Sequence, residues 1–141
     1  MQIWSLVYVS LASRKMTEID LKKILQVSRS KNSEKRITGM LLYMDPYFIQ
    51  ALEGEISDLE HIYNVIMQDS RHEEIRIVYK QPISERIFPE WSMGFNRFEQ
   101  RHLGQIQGLS DFLQRPIAEF LVDYSNPVLR LLNLFRREIL F

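Results

Sequence analysis

The chain has 141 residues, 45% hydrophobic and 26% charged, ordinary values for one globular domain, so a mainly disordered chain is excluded. Eighteen lysines and arginines balance eighteen aspartates and glutamates, which argues against an open nucleic-acid footprint along the whole chain. With no cysteine there is no disulfide scaffold, thiolate zinc site, iron–sulfur cluster or cysteine nucleophile, and three histidines are too few to nominate a metal centre.

The opening residues Met1–Tyr8 lack a basic n-region and a small-residue cleavage site. The longest strongly apolar run, Ile37–Met44, falls far short of the ~20 residues a membrane span needs. A soluble, cytoplasmic protein is expected. Ile3–Val9 reads as a first strand. Thr17, followed by Glu18 and Asp20, starts a helix. Leu21, Ile24, Leu25 and Ser28 then share one face to about Ser30. Ile37–Met44 and Tyr47–Glu53 read as a hairpin turned by Asp45-Pro46 and ended by Gly54. A second helix runs from Ile56 to Gln68 on a stripe of Leu59, Ile62, Tyr63 and Ile66. Ile75–Lys80, with Ile75, Ile77 and Tyr79 alternating, is a fourth strand, and Trp91–Asn96 a short fifth. The order β-α-β-β-α-β-β predicts an α+β, ferredoxin-like sheet with both helices on one face.

From His102 the pattern turns helical: Leu103, Ile106, Leu109, Phe112 and Leu113, then Ile117, Phe120, Leu121 and Tyr124 around a break at Pro116. Asn126-Pro127 restarts a helix with Leu129, Leu132 and Phe135. The strands are apolar on both parities, as with Trp4, Leu6 and Tyr8 against Ile3, Val7 and Val9, so both sheet faces must be covered. Residues 98–141 are therefore expected to pack as a helical extension on the face that the first two helices leave open. Residues 1–97 form the main unit.

Charge is uneven along the chain. Arg14–Arg36 holds eight basic and three acidic residues, whereas Asp45–Glu74 holds one basic and eight acidic. Two readings stand: neighbouring helices with complementary solvated faces, or a basic helix offering cations to a ligand phosphate.

Gln50 lies mid-strand between Phe48 and Leu52, and Tyr8 shares a parity with Leu6. A buried glutamine left unpaired costs about 1–3 kcal/mol. Either it is satisfied within the core, with Tyr8 an available partner, or it serves a site. Phosphate loops, zinc-protease motifs and nucleophile elbows are missing, and His61, His72 and His102 assemble no triad.

Four strings in order carry a resemblance. They are Ile37-Thr38-Gly39-Met40-Leu41-Leu42, Phe48-Ile49-Gln50-Ala51-Leu52-Glu53-Gly54, Asp69-Ser70-Arg71-His72 and Phe88-Pro89-Glu90-Trp91-Ser92-Met93, preceded by Leu6–Ser10 and Asn32. Over about residues 1–97 the chain resembles the BLUF family of blue-light sensors. The resemblance implies FAD, bound non-covalently between the two helices. It implies that Tyr8 gives an electron and a proton under light, that Gln50 lies between this phenol and the flavin ring, and that Trp91 and Met93, on the last strand, relay the change. It assigns cofactor contacts to Asn32, Asp69, Arg71 and His72, with Ser10, Ile24, Ser28, Lys31 and Ile37 as further contacts.

A glutamine suits such a switch because one side chain both donates and accepts. The absence of cysteine excludes a thiol adduct and fits tyrosine–glutamine photochemistry. Two departures from the family pattern stand out: Trp4-Ser5 early in the first strand, with Trp4 a second possible electron donor, and Lys31 before Asn32. About forty residues follow the Trp91-Ser92-Met93 string. The chain is therefore expected to be a non-enzymatic homo-oligomer that signals to another protein by contact, without nucleic acid or membrane. The stripe Leu129, Leu132 and Phe135 and the end Ile139-Leu140-Phe141 are candidate contact surfaces, or simply pack on the sheet. The rival readings are a small ferredoxin-like hydrolase using Arg71 or Arg36, and a light-insensitive assembly module.

Overall fold

A computed structural model describes residues 2–114, 126–138 and 140. The predicted positions Pro116, Ile117, Phe120, Leu121, Tyr124, Ile139 and Phe141 lie outside the described residues. The elements are β1 (Ile3–Ala12), α1 (Glu18–Glu34), β2 (Thr38–Met44), β3 (Tyr47–Gly54), α2 (Ile56–Met67), β4 (His72–Ile83), β5 (Gly94–Arg97), α3 (Gln100–Gln105), α4 (Leu109–Gln114) and α5 (Pro127–Phe135). One five-stranded sheet has the order β4-β1-β3-β2-β5, the ferredoxin-like arrangement with β5 added beside β2. Its pairs are antiparallel except β2 with β5.

Local chemistry starts the helices where the sequence places them. The Thr17 side chain accepts from the Asp20 amide at 3.1 Å and Asp20 Oδ2 accepts from the Thr17 amide at 2.9 Å, a reciprocal cap on α1. Helix α1 then runs to Glu34, beyond the expected end at Ser30. Asn126 caps α5, its side chain accepting from the Val128 amide at 2.9 Å with Pro127 in the first turn.

The strand parities sort into two cores. Leu6, Tyr8, Leu41, Phe48 and Leu52 face α1 and α2, meeting Leu21, Leu25, Leu59 and Ile62. Val7, Val9, Met40, Leu42, Ile49 and Ala51 face the other way, onto Ile106, Leu109, Phe112, Leu131 and Phe135 of the C-terminal helices. The described helices of the extension thus cover the second face. In the stripe of α5, Leu132 and Phe135 are buried against the sheet and Leu129 is packed there in part. Close approach within the sheet depends on Gly39, where a Cβ would sit 1.9 Å from the Ala51 carbonyl oxygen.

One strand departs from its reading. Ile75 and Ile77 face α1 and α2, but Tyr79 faces the C-terminal helices. The reason is a bulge: Val7 pairs with Tyr79 and Tyr8 with Ile77, so Val78 has no partner on β1. Its carbonyl instead accepts from Asn126 Nδ2 at 3.0 Å. Arg76 Nη2 makes a second tie, to the Leu113 carbonyl at 2.8 Å.

Asn126 is buried and serves both helix cap and bulge. Replacing Asn126 with alanine should cost about 2 kcal/mol, the range for losing a cap and a buried hydrogen bond, read as a lower urea midpoint.

Candidate functional site

Gln50 occupies the middle of β3, with Tyr8 of β1 and Leu41 of β2 as its cross-strand neighbours. The Tyr8 hydroxyl donates to Gln50 Oε1 in a short bond, and Gln50 Nε2 donates to Met93 Sδ at 3.4 Å. All three side chains are buried. Burial, with smaller contributions from Tyr63 and Asp69, pushes the Tyr8 phenol far above its ordinary pKa. It stays protonated, a donor aimed at the amide.

Above this triad α1 and α2 bound a cleft over the sheet. The empty space between them, counted with its open mouth, is about 770 Å³. Tyr8, Gln50, Leu41 and Leu52 form the floor. Ile24, Val27, Ser28, Lys31 and Asn32 line one side from α1; Ile62, Val65 and Ile66 line the other from α2. At the mouth, Val27 is 47% and Val65 42% exposed, apolar surface on both walls.

The polar end is built by the segment after α2. Asp69 pairs with Arg71, whose Nε lies 2.9 Å from Oδ1 and Nη2 2.5 Å from Oδ2. The guanidinium holds the Asp69 carboxyl below its usual range, and the carboxylate raises Arg71 in turn. His72 bridges strand and helix: its Nε2 is 2.7 Å from the Ile66 carbonyl and its Nδ1 2.8 Å from Ser10 Oγ. Because a carbonyl only accepts, Nε2 carries a proton, and in the neutral ring Nδ1 accepts from Ser10. The ring sits edge-on to Tyr8, 6.0 Å between centroids.

Trp91 and Met93 are not on a strand, which corrects the expectation. Pairing with β2 begins only at Gly94, opposite Met40. A Cβ on Gly94 would lie 2.5 Å from the Trp91 ring, so the ring packs onto Gly94 where only a glycine leaves it room. Met93 points to the α1–α2 side, while Trp91 stacks on Phe88 at 6.0 Å and packs toward the C-terminal helices. Asn32 Nδ2 donates to the Ser92 carbonyl at 2.8 Å. Further back, the buried Glu53 carboxylate accepts from the Ile87 amide at 2.7 Å and the Phe88 amide at 2.8 Å. Burial raises its pKa, and those two amides oppose the rise.

Of the residues expected at the site, Tyr8, Ile24, Ser28, Lys31, Asn32, Gln50, Asp69, Arg71 and His72 line one cleft. Ile37 is not in the lining; it is buried in the core beneath. Ser10 reaches the site through His72. Trp4 is half-buried against the same core and does not line the cleft. Val27 and Val65 were not anticipated. The i+3, i+7 and i+8 spacing of Ile24, Val27, Lys31 and Asn32 was the available signal for Val27.

A family model described as "Sensors of blue-light using FAD", named BLUF, matches residues 3–94. The chain belongs to the BLUF family. It is 37% identical over 90 residues to photoactivated adenylate cyclase subunit beta of Euglena gracilis, a match covering 63% of this chain and 10% of that protein. The chain thus spans about a tenth of the length of this curated relative. Among solved structures it is similar to the photo-activated state of BlsA (27% identity, TM-score 0.78, 96% of this chain and 95% of that one). It is also similar to the dark state of the BLUF protein BlrB (32%, 0.68, 80% and 84%) and to a bacterial light-regulated adenylyl cyclase (33%, 0.68, 79% and 33%). The fold is that of BLUF proteins. Among the described residues no helix is long and apolar enough to cross a membrane.

The raised Tyr8 pKa sets a pH dependence. The neutral phenol stabilises the fold fully below the unfolded value near 10, and this contribution is lost as pH rises beyond it toward the folded value. Stability measured by denaturant titration should decline above about pH 10, and Tyr8→Phe should flatten part of that decline.

Proposed function

We propose that the cleft between α1 and α2 binds FAD non-covalently and that Tyr8 and Gln50 form the photochemical pair. The bond from the Tyr8 hydroxyl to Gln50 Oε1, on the floor of that cleft, carries the proposal. The lining fits a flat aromatic heterocycle: apolar side chains on both walls, with amide, imidazole and guanidinium groups at the edges.

When bound, the flavin supplies the absorption of blue light and an excited state that accepts an electron. Tyr8 would supply that electron, and the proton its hydroxyl would then release already lies on a bond to Gln50 Oε1. Gln50 can re-aim its amide, exchanging a donor for an acceptor toward its neighbours. Asn32 would hold the polar edge of the ring, His72, whose two ring nitrogens are taken by Ser10 and Ile66, would pack at its flank, Arg71 would stabilise negative charge there, and Asp69 holds Arg71. Ile24 and Ser28 make further contacts, Ile37 supports them from below, and Lys31 at the rim attends the phosphates. Residues 1–97 act as the sensor. Trp91, Met93 and the extension 98–141 carry the change to a downstream protein by direct contact, without catalysis by this chain and with the sensor as a homo-oligomer in the cytoplasm.

The purified protein should be yellow. Blue light should shift its visible absorption slightly to the red, reversibly in the dark. Tyr8→Phe and Gln50→Leu should each retain flavin and lose the shift. A colourless protein would sink the reading, and a normal photocycle in either variant would sink the assigned roles.

A further inference from the structure

Trp91, Ser92 and Met93 precede β5, and each of their carbonyls is nevertheless held. Gly39 N–H donates to the Trp91 carbonyl at 3.0 Å, Asn32 Nδ2 to Ser92 at 2.8 Å, and Arg29 Nε to Met93 at 2.8 Å. Arg29 and Asn32 are three residues apart on α1 and therefore share a face. Helix α1 thus grips two successive carbonyls of the segment that carries Met93.

The grip matters because of what lies beyond it. Met93 Sδ sits 3.4 Å from Gln50 Nε2, and a thioether is a weak acceptor on a side chain with three rotatable bonds. That contact alone does not hold the sulfur in place. The bond from a guanidinium to the Met93 carbonyl is charge-assisted and half-buried, and so is the stronger restraint. Arg29 is not in the lining of the cleft, so it acts on the pair from outside.

We propose that Arg29 is a positioning residue of the photoswitch: its Nε–H bond to the Met93 carbonyl keeps Met93 Sδ against the Gln50 amide and so sets how readily that amide turns and returns. This rests on the reading of Tyr8 and Gln50 as the photochemical pair.

The test is a double-mutant cycle in the full chain with Arg29→Met, Met93→Ala and both. Arg29→Met should keep its flavin absorbance in the dark and change the dark-recovery rate about tenfold, the scale for losing one charge-assisted bond from one of two states. In the Met93→Ala background the same substitution should change the rate by less than about twofold, because no sulfur remains to be positioned. Arg29→Lys, keeping a cationic donor, should fall between wild type and Arg29→Met.

Wild-type recovery in Arg29→Met, or the same factor in both backgrounds, would overturn the proposal. A second measurement needs no light. In protein labelled at its methionine methyls, the Met93 signal, assigned by its loss in Met93→Ala, should move or broaden in Arg29→Met. An unmoved signal refutes the clamp. A wild-type protein without any light-induced shift refutes the photochemical reading, and the methyl signal then decides the clamp alone.

Discussion

The Tyr8 hydroxyl has one proton to give, and Gln50 Oε1 takes it. With its carbonyl end committed, the amide must turn its NH₂ end elsewhere, and that end meets Met93 Sδ. The reverse orientation would set the amide oxygen against a thioether, which has no proton to offer. An unsatisfied buried acceptor costs about 1–3 kcal/mol, so the amide cannot turn over at rest unless Met93 moves or another donor arrives. One phenolic proton thereby fixes the direction of Gln50, and Gln50 fixes the place of Met93.

The sheet exists in a form that permits this. Tyr8 and Gln50 lie on adjacent strands, β1 and β3, paired in register at the centre of the sheet, so neither can drift from the other without breaking ladder bonds on both sides. Tyr8 also lies at the edge of the β4 bulge, where the ladder omits Val78. The freed carbonyl goes to Asn126, which caps α5. The C-terminal helices are therefore tied by a hydrogen bond, as well as by apolar packing, to the ladder next to the phenol. A change in strand geometry at Tyr8 has a short physical route to α5.

Much of this could be read from the residues. Period-2 and period-3.6 patterns located the strands and the first two helices, and two-sided apolar strands foretold that the extension would cover the second face. The alternation Ile75, Ile77, Tyr79 misled because a bulge carries no mark in a run of β-branched and aromatic residues; Val78 fits a strand as well as its neighbours do. The position of Met93 was hidden for another reason. Trp91–Asn96 has strand-like composition, and nothing in it marks that the Trp91 ring packs onto Gly94, where pairing with β2 starts. The string Phe48–Gly54 and the residues that lead into the string Phe88–Met93 are far apart in the chain. In the fold they are one contact, since Arg86 Nη1 donates to the Glu53 backbone carbonyl at 2.8 Å while the Glu53 carboxylate holds the amides of Ile87 and Phe88.

The irregularity of the segment before β5 suits the relay proposed for it. Had residues 91–93 joined β2 as regular strand, their carbonyls would be spent in a cooperative ladder, and moving Met93 would mean unzipping an edge of the sheet. With one carbonyl bonded to Gly39 of β2 and the next two to Asn32 and Arg29 of α1, and anchored upstream by Glu53, the segment would break a few separable bonds in a shift. Elements that move in switches come from the less stable parts of a fold. Here that part is joined on one side to the buried amide and on the other to Trp91, packed toward the C-terminal helices. In the proposed relay, displacement of Met93 from the amide would pull on the two residues before it and so couple the state of Gln50 to the packing of Trp91.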